Sequence, residues 1–173
     1  MMQALLKVFW DITLWRRGPR DIPASSALLC IVALVYLLTG AVQAVVIYGR
    51  ALAFERALAD LAATACFFGV CLLIARRAHR LTQTLTAVLA TGVLLSLPML
   101  GLLLLARQVG PDGPLALALQ LILLPLQVWY LLVVGHIVRV ALEAPLLTGM
   151  AVAMTYLLVN YLALLQLPQA TAS

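Results

Sequence analysis

One acidic residue of this chain falls inside an apolar run, where a charge could bind an ion or a proton. Asp60 lies about one helical turn inside the edge of this run, which extends to Ala75. An ionisable side chain in hydrocarbon is costly, so Asp60 is by default a functional candidate. Arg56 precedes it by four residues, and the two could instead pair along one helix face. The sequence leaves both roles open.

Uncharged amides inside apolar runs form a second set of candidates. Such side chains can line a pathway for a solute. They also hydrogen bond one membrane helix to another, for about 0.6 to 2 kcal/mol per contact. We favour the role in helix packing and keep the pathway as the alternative. The candidate intramembrane polar residues are Gln43, Gln120, Gln127 and Asn160.

Arginines gather in two short segments between apolar runs. Each cation near an anionic membrane surface contributes about 1 kcal/mol, so these segments could bind lipid headgroups or an acidic partner. Positive residues also fix topology, because they hold a loop on the cytoplasmic side, and we favour this second role. The candidate contacts are Arg16, Arg17 and Arg20 in the first segment and Arg76, Arg77 and Arg80 in the second.

Three further polar residues share one helix face near the end of an apolar run. His136, Arg139 and Glu143 follow one another at intervals of three and four residues. This spacing could form a titrating or binding site, although a salt-bridged helix end at the membrane surface is the simpler interpretation. His136 and Arg139 therefore join the candidate contacts to lipid or a partner.

Signatures of catalysis are missing from the sequence. It contains no HExxH, GxSxG or GxxxxGK[ST] motif, which are typical of zinc proteases, hydrolases and phosphate-binding loops. Its cysteines, Cys30, Cys66 and Cys71, lie in apolar runs, where a thiol behaves as a small hydrophobic group. We therefore expect no enzyme activity, no cofactor and no metal site.

Membrane-spanning helices are the elements that must position these residues. The 173 residues are 65% hydrophobic and only 10% charged, which is far from the composition of a soluble domain. A hydrocarbon core of about 30 Å needs roughly 20 apolar helical residues, so the chain holds at most about five spans. Its basic residues are scattered among apolar runs, which favours membrane lipids over nucleic acid as partners.

The sequence predicts an all-α fold: a polytopic transmembrane bundle of about five helices with a short N-terminal interfacial helix. Met2, Leu5, Phe9 and Ile12 form one apolar stripe, which is typical of a helix that lies in the membrane interface. We predict an interfacial segment and turn over 1–23, a membrane domain over 24–168 and a short tail over 169–173. The predicted spans are 24–48, 57–75, 81–106, 115–138 and 145–167.

The charges predict an orientation. With a cytoplasmic N-terminus, eight Lys and Arg residues fall in inside segments and three in outside segments. Five spans then put the C-terminus outside. Ten arginines against one lysine, with apolar content that is mostly Leu, Ala and Val, indicate a GC-rich bacterial genome. We therefore expect the inner membrane, with the C-terminus in the periplasm.

Residues 126–165 read LQVWYLLVVGHIVRVALEAPLLTGMAVAMTYLLVNYLALL. Together with the five-span layout, this segment resembles the YIP family of five-span membrane proteins. It is similar to that family's fourth span, glycine-containing exit and fifth span, with Trp129 and Gly135 as local matches. GPRDIPAS stands where eukaryotic members have an acidic, tyrosine-containing segment. The resemblance implies a membrane-organising or partner-binding protein rather than an enzyme.

Two main functional hypotheses follow from these features, beside a third in which a membrane enzyme acts on lipid and holds the headgroup with Arg76, Arg77 and Arg80, although no nucleophile or base can be named. The favoured one is a non-enzymatic inner-membrane protein that acts through helix packing and through protein or lipid contacts, as an accessory, assembly or membrane-organising subunit. It would have a membrane-protein partner or a second copy of itself. The alternative is a small transporter or channel component, in which kinks at Pro98 and Pro125 open a polar path past Asp60, Gln127 and Asn160.

Overall fold

Six helices and two short 3-10 turns make up the part of the chain that the structure describes. The computed structural model describes residues 2–109 and 113–166, and all regular structure in these ranges is helical, which confirms the all-α prediction. The predicted tail and the predicted end of the fifth span, from residue 167 on, lie outside the described residues. The elements are α1 (Met2–Thr13), a first 3-10 turn (Pro19–Asp21), α2 (Ser26–Tyr48), α3 (Ala53–Ile74), a second 3-10 turn (Ala78–Arg80), α4 (Leu81–Val109), α5 (Pro114–Leu142) and α6 (Leu146–Leu165).

The five helices α2 to α6 are each long and apolar enough to cross a membrane. They carry large apolar side chains on their outer faces as well as on their inner ones, with Leu38, Val70 and Leu121 all more than half exposed. Such a surface suits hydrocarbon and not water. The protein is therefore a multi-pass integral membrane protein.

Local sequence signals set the helix ends. The Oγ of Ser25 accepts a hydrogen bond from the backbone N–H of Leu28 at 3.3 Å and so caps the start of α2. Gly49 ends that helix at a φ of +86°, a conformation that glycine adopts readily. Pro145 directly precedes α6, where its missing N–H costs nothing.

Two prolines lie inside membrane helices. Both α4 and α5 continue through them as single helices, α4 through Pro98 and α5 through Pro125. A proline has no backbone N–H, so each one leaves the carbonyl four residues earlier without its usual helical partner.

The five membrane helices close into a ring. Its order is α2, α4, α5, α6 and α3, and α3 packs back against α2. The interior is filled by apolar side chains from several helices, among them Phe68, Val88, Val133 and Ala153, which are almost fully buried. Because the ring is closed, residues from all five helices can face one shared interior.

The N-terminal helix α1 covers one end of the ring. It contacts α4 and α5, and Phe9 and Ile12 of its predicted apolar stripe are buried there. Leu6 and Trp10 point away and are more than half exposed. We call this the arginine-rich end, because the segments that follow α1 and α3 carry six of the ten arginines.

Candidate functional site

Asp60 is held between two other helices of the ring. The hydroxyl of Tyr36 in α2 donates to its Oδ2 at 2.6 Å, and the amide of Asn160 in α6 donates to its Oδ1 at 2.8 Å. Hydrogen bonds to a carboxylate are among the strongest in proteins, and a low dielectric strengthens them further. Three helices therefore meet on one acidic side chain.

A cavity of about 360 Å³ adjoins this carboxylate. It lies in the half of the bundle away from the arginine-rich end, and all five membrane helices contribute to its wall. Its volume is within the range of small-molecule sites, which are roughly 300 to 1,000 Å³. The side chains with polar atoms along the wall include Tyr36, Gln43, Arg56, Asp60, Ser96, Tyr130, Tyr156 and Asn160.

Tyrosines from three helices border the carboxylate side of the cavity. The Tyr156 hydroxyl lies 3.0 Å from Oγ1 of Thr64, which links α6 to α3. The hydroxyl of Tyr130 lies 3.9 Å from the point that a Cβ on Gly92 would occupy, and the ring of Tyr36 lies 2.8 Å from the same point. A side chain at position 92 would therefore displace the ring whose hydroxyl binds Asp60.

Arg56 lies further along the same cavity. The guanidinium carbon of Arg56 is 4.0 Å from the ring centroid of Tyr48, and the residue is only 7% exposed. A guanidinium over an aromatic face is stabilised by the ring quadrupole. The sequence suggested Arg56 as a partner for Asp60. The structure adds two hydrogen-bond donors to Asp60, Tyr36 in α2 and Asn160 in α6, which the four-residue spacing of Arg56 and Asp60 did not predict.

The amides predicted from the sequence fall into two groups. Gln43 donates to the backbone carbonyl of Ser96 at 3.0 Å, so it joins α2 to α4 and borders the cavity as well. Gln127 lies exposed on the outer surface of α5, whereas Gln120, also exposed, lines a second cavity of about 370 Å³ between α2, α4 and α5. Gln127 is not among the described residues that line the cavity beside Asp60, so the polar path past Asp60, Gln127 and Asn160 stays a prediction.

A second polar cluster lies at the arginine-rich end. Glu143, directly after α5, forms ion pairs with Arg20 of the first 3-10 turn and with Arg77 and Arg80 of the segment between α3 and α4. We call these three residues the arginine triad. Hydrogen bonds from Arg80 and Arg77 lower the pKa of Glu143 to about 2. Arg80 also donates to the carbonyl of Ala141 at 3.1 Å and so caps the end of α5.

His136 joins the N-terminal segment to α5. Its Nε2 lies 3.0 Å from the backbone carbonyl of Arg17, and its ring stacks on Trp15 with centroids 5.3 Å apart. Trp15 has a positive φ of 61°, an uncommon conformation for a bulky side chain. The remaining candidate contacts with lipid or a partner, Arg16, Arg76 and Arg139, belong to the same end, and Arg16 and Arg76 are exposed.

Comparison of the chain with protein-family models, with curated proteins and with solved structures finds no match. The resemblance of residues 126–165 to the YIP family therefore stays a prediction. The function must be inferred from the geometry of the two polar sites.

Proposed function

We propose that the protein is a small membrane transporter, or a component of one, that binds a polar solute in the cavity beside Asp60. One observation carries this proposal. A carboxylate held by Tyr36 and Asn160 borders a cavity of about 360 Å³ inside a ring of membrane helices. An acidic group at membrane depth is costly, and it is typical of pathways for ions, protons and solutes.

The hydrogen bonds on Asp60 leave room for a solute. Each carboxylate oxygen has two acceptor positions, and Tyr36 and Asn160 each occupy one of them. The remaining positions can accept a hydrogen bond from an ammonium, hydroxyl or amide group, or a proton. We therefore expect a solute with hydrogen-bond donors. The tyrosine rings beside Asp60 would contact the apolar part of that solute.

The hypothesis favoured by the sequence, an accessory or membrane-organising subunit without enzyme activity, remains the second candidate. It is supported by close packing of α5 against α6, where Gly149 allows the two backbones to touch. That contact lies within one chain and explains the fold without naming a partner. The cavity offers a place for a ligand, so we rank transport first.

We also propose an orientation for the protein in the membrane. The positive-inside rule puts the arginine-rich end in the cytoplasm, which for a bacterial cell means the inner side of the inner membrane. The cavity then lies in the outer half of the bundle and receives its solute from outside. This orientation is tested with a variant whose single cysteine lies at the arginine-rich end. A membrane-impermeant maleimide should label that cysteine in open vesicles but not in intact cells.

Binding is tested first. The thermal stability of the purified full chain is measured with a panel of small amines, amino acids and polyols, and uptake of any stabilising compound into proteoliposomes follows. We expect saturable stabilisation by a compound with hydrogen-bond donors. Asp60→Asn keeps the side-chain size but removes the charge and should weaken that binding at least about tenfold, as a lost charged hydrogen bond does.

Gln127→Leu is the matched control, because it also removes a polar group from a membrane helix but lies on the outer surface. It should leave binding and uptake unchanged. If no compound in the panel stabilises the protein, or if binding is indifferent to Asp60→Asn, the proposal fails.

A further inference from the structure

The arginine triad carries more positive charge than its partner neutralises. Three guanidiniums face the single carboxylate of Glu143, which leaves an excess of two positive charges in one cluster. The three guanidinium groups all lie within ion-pair distance of one carboxylate, and positive charges this close together repel one another even where water screens them. A second anion at the cluster would relieve that repulsion.

Donors for such an anion are available. Each guanidinium has five N–H groups. The contacts of Arg20 and Arg80 with Glu143 and with the carbonyls of Val140 and Ala141 use only part of them. The Arg20 side chain is 51% exposed and the Arg77 side chain 28% exposed, so an anion can reach both. Guanidinium groups bind phosphate in a fork of two hydrogen bonds, which makes phosphate the best-matched anion.

The triad also lies at the depth of lipid headgroups. Arg77 comes three residues after the end of α3, Arg80 directly precedes α4, and Glu143 directly follows α5. The polar cluster therefore begins where three apolar membrane helices end. Phosphates of the inner leaflet lie at this level in a bilayer.

Two strongly exposed apolar side chains lie close along the chain to the triad and to Glu143. Ile74, the last residue of α3, is 79% exposed, and Leu147, in the first turn of α6, is 82% exposed. No other large apolar side chain that the structure describes is exposed to a similar degree. Arginine donors beside bare apolar side chains match a molecule with an anionic head and a hydrocarbon tail.

We propose that the arginine triad binds the phosphate of an anionic phospholipid, whose acyl chains run along Ile74 and Leu147. The apolar neighbours favour a lipid over free phosphate, which would make no contact with them. This site is independent of the Asp60 cavity, which lies in the other half of the bundle. The lipid would add a further contact between the first 3-10 turn, the segment between α3 and α4, and the start of α6.

Native mass spectrometry of the full chain tests the proposal. The protein is released from nanodiscs that contain equal amounts of phosphatidylglycerol and phosphatidylcholine with the same acyl chains. We expect retained phosphatidylglycerol to exceed phosphatidylcholine. Arg77→Gln, which leaves Arg20 and Arg80 on Glu143, should reduce this preference about fivefold, the change expected for one cation near an anionic lipid.

Arg107→Gln is the control, because Arg107 is exposed at the opposite end of the bundle. It removes the same charge and should leave the preference unchanged. Arg20→Gln provides a second test and should resemble Arg77→Gln. Equal retention of the two lipids, or an equal loss in Arg107→Gln, would overturn the proposal. So would stabilisation of the protein by sodium phosphate but not by sodium chloride of the same ionic strength, together with equal retention of the two lipids, since that result assigns the site to free phosphate.

Discussion

The backbone carbonyl of Gly135 in α5 occupies the space that a Cβ on Gly149 in α6 would need. The same point lies 2.8 Å from the Cβ of Arg139, so backbone and side chain of α5 both close around Gly149. Inside a bilayer the hydrophobic effect does not drive helices together, so their association depends on close packing of this kind. This contact fixes how α6 lies against α5.

Gly149→Ala should therefore destabilise the protein by about 1 to 3 kcal/mol, the usual cost of adding a methyl group to a filled site. Thermal unfolding in a mild detergent measures the effect. Gly101→Ala is the control, because nothing lies within 4 Å of the added Cβ there. Gly101 lies within α4, so its replacement by alanine should be neutral or slightly stabilising, because alanine is the better helix former. Equal losses at the two positions would contradict the packing argument.

Thr64→Val tests the hydrogen bond that joins α3 to α6. Thr64 is fully buried, and its hydroxyl has the hydroxyl of Tyr156 as its partner. Valine has nearly the same shape but no hydroxyl, so we expect a loss of about 0.6 to 2 kcal/mol in thermal unfolding experiments. Thr155→Val serves for comparison, because the Thr155 hydroxyl is exposed and bonds only to its own helix at Ala151. A loss in Thr155→Val as large as that in Thr64→Val would refute the prediction.

The Glu143 ion pairs should be insensitive to pH throughout the physiological range. The arginines lower the pKa of Glu143 from 4.5 to about 2, so the folded state holds its proton more weakly than the unfolded chain does. The stability that this group contributes is therefore fully present above pH 4.5 and is lost as the pH falls towards 2. The difference in melting temperature between the wild type and Glu143→Gln should stay constant from pH 8 to pH 5 and shrink below pH 4.5. A difference that already changes between pH 8 and pH 6 would show that another group controls the cluster.

His136→Ala should loosen the N-terminal segment without opening the ring. The substitution removes both the ring that stacks on Trp15 and the nitrogen that meets the Arg17 carbonyl. One lost hydrogen bond of about 0.5 to 1.5 kcal/mol corresponds to hydrogen exchange about two- to thirteenfold faster in α1. Hydrogen exchange with mass spectrometry measures this, with His79→Ala, at an exposed position, as the control. Unchanged exchange in α1 would mean that the apolar contacts of Phe9 and Ile12 hold the segment alone.

The membrane helices were predictable because a long apolar run has few alternatives to a spanning helix. The residues at which these helices begin and end were harder to predict. The second span was expected from residue 57, whereas α3 begins at Ala53 and includes Arg56. Similarly, α5 continues to Leu142, beyond the predicted limit of 138. Hydropathy marks the hydrocarbon layer, but a helix can extend past it into the headgroup region, where polar residues are tolerated.

The polar sites were only partly predictable. Asp60 and Asn160 stood out by residue type, but their contact did not, because they are 100 residues apart and their helices are apolar on every side. Tyr36, the other donor to Asp60, was missed for the same reason. Tyrosines inside three different spans were a signal that could have been used. Glu143 was expected to pair along its own helix, whereas the structure joins it to arginines elsewhere in the chain.

The partners of Asp60 also bear on how the protein is made. Tyr36 belongs to α2, which is synthesised before α3, whereas Asn160 belongs to α6, so Asp60 has only one of these two donors until α6 has been synthesised. The hydrogen bond from Asn160 to Asp60 can therefore form only after α6 has been synthesised and inserted beside α3.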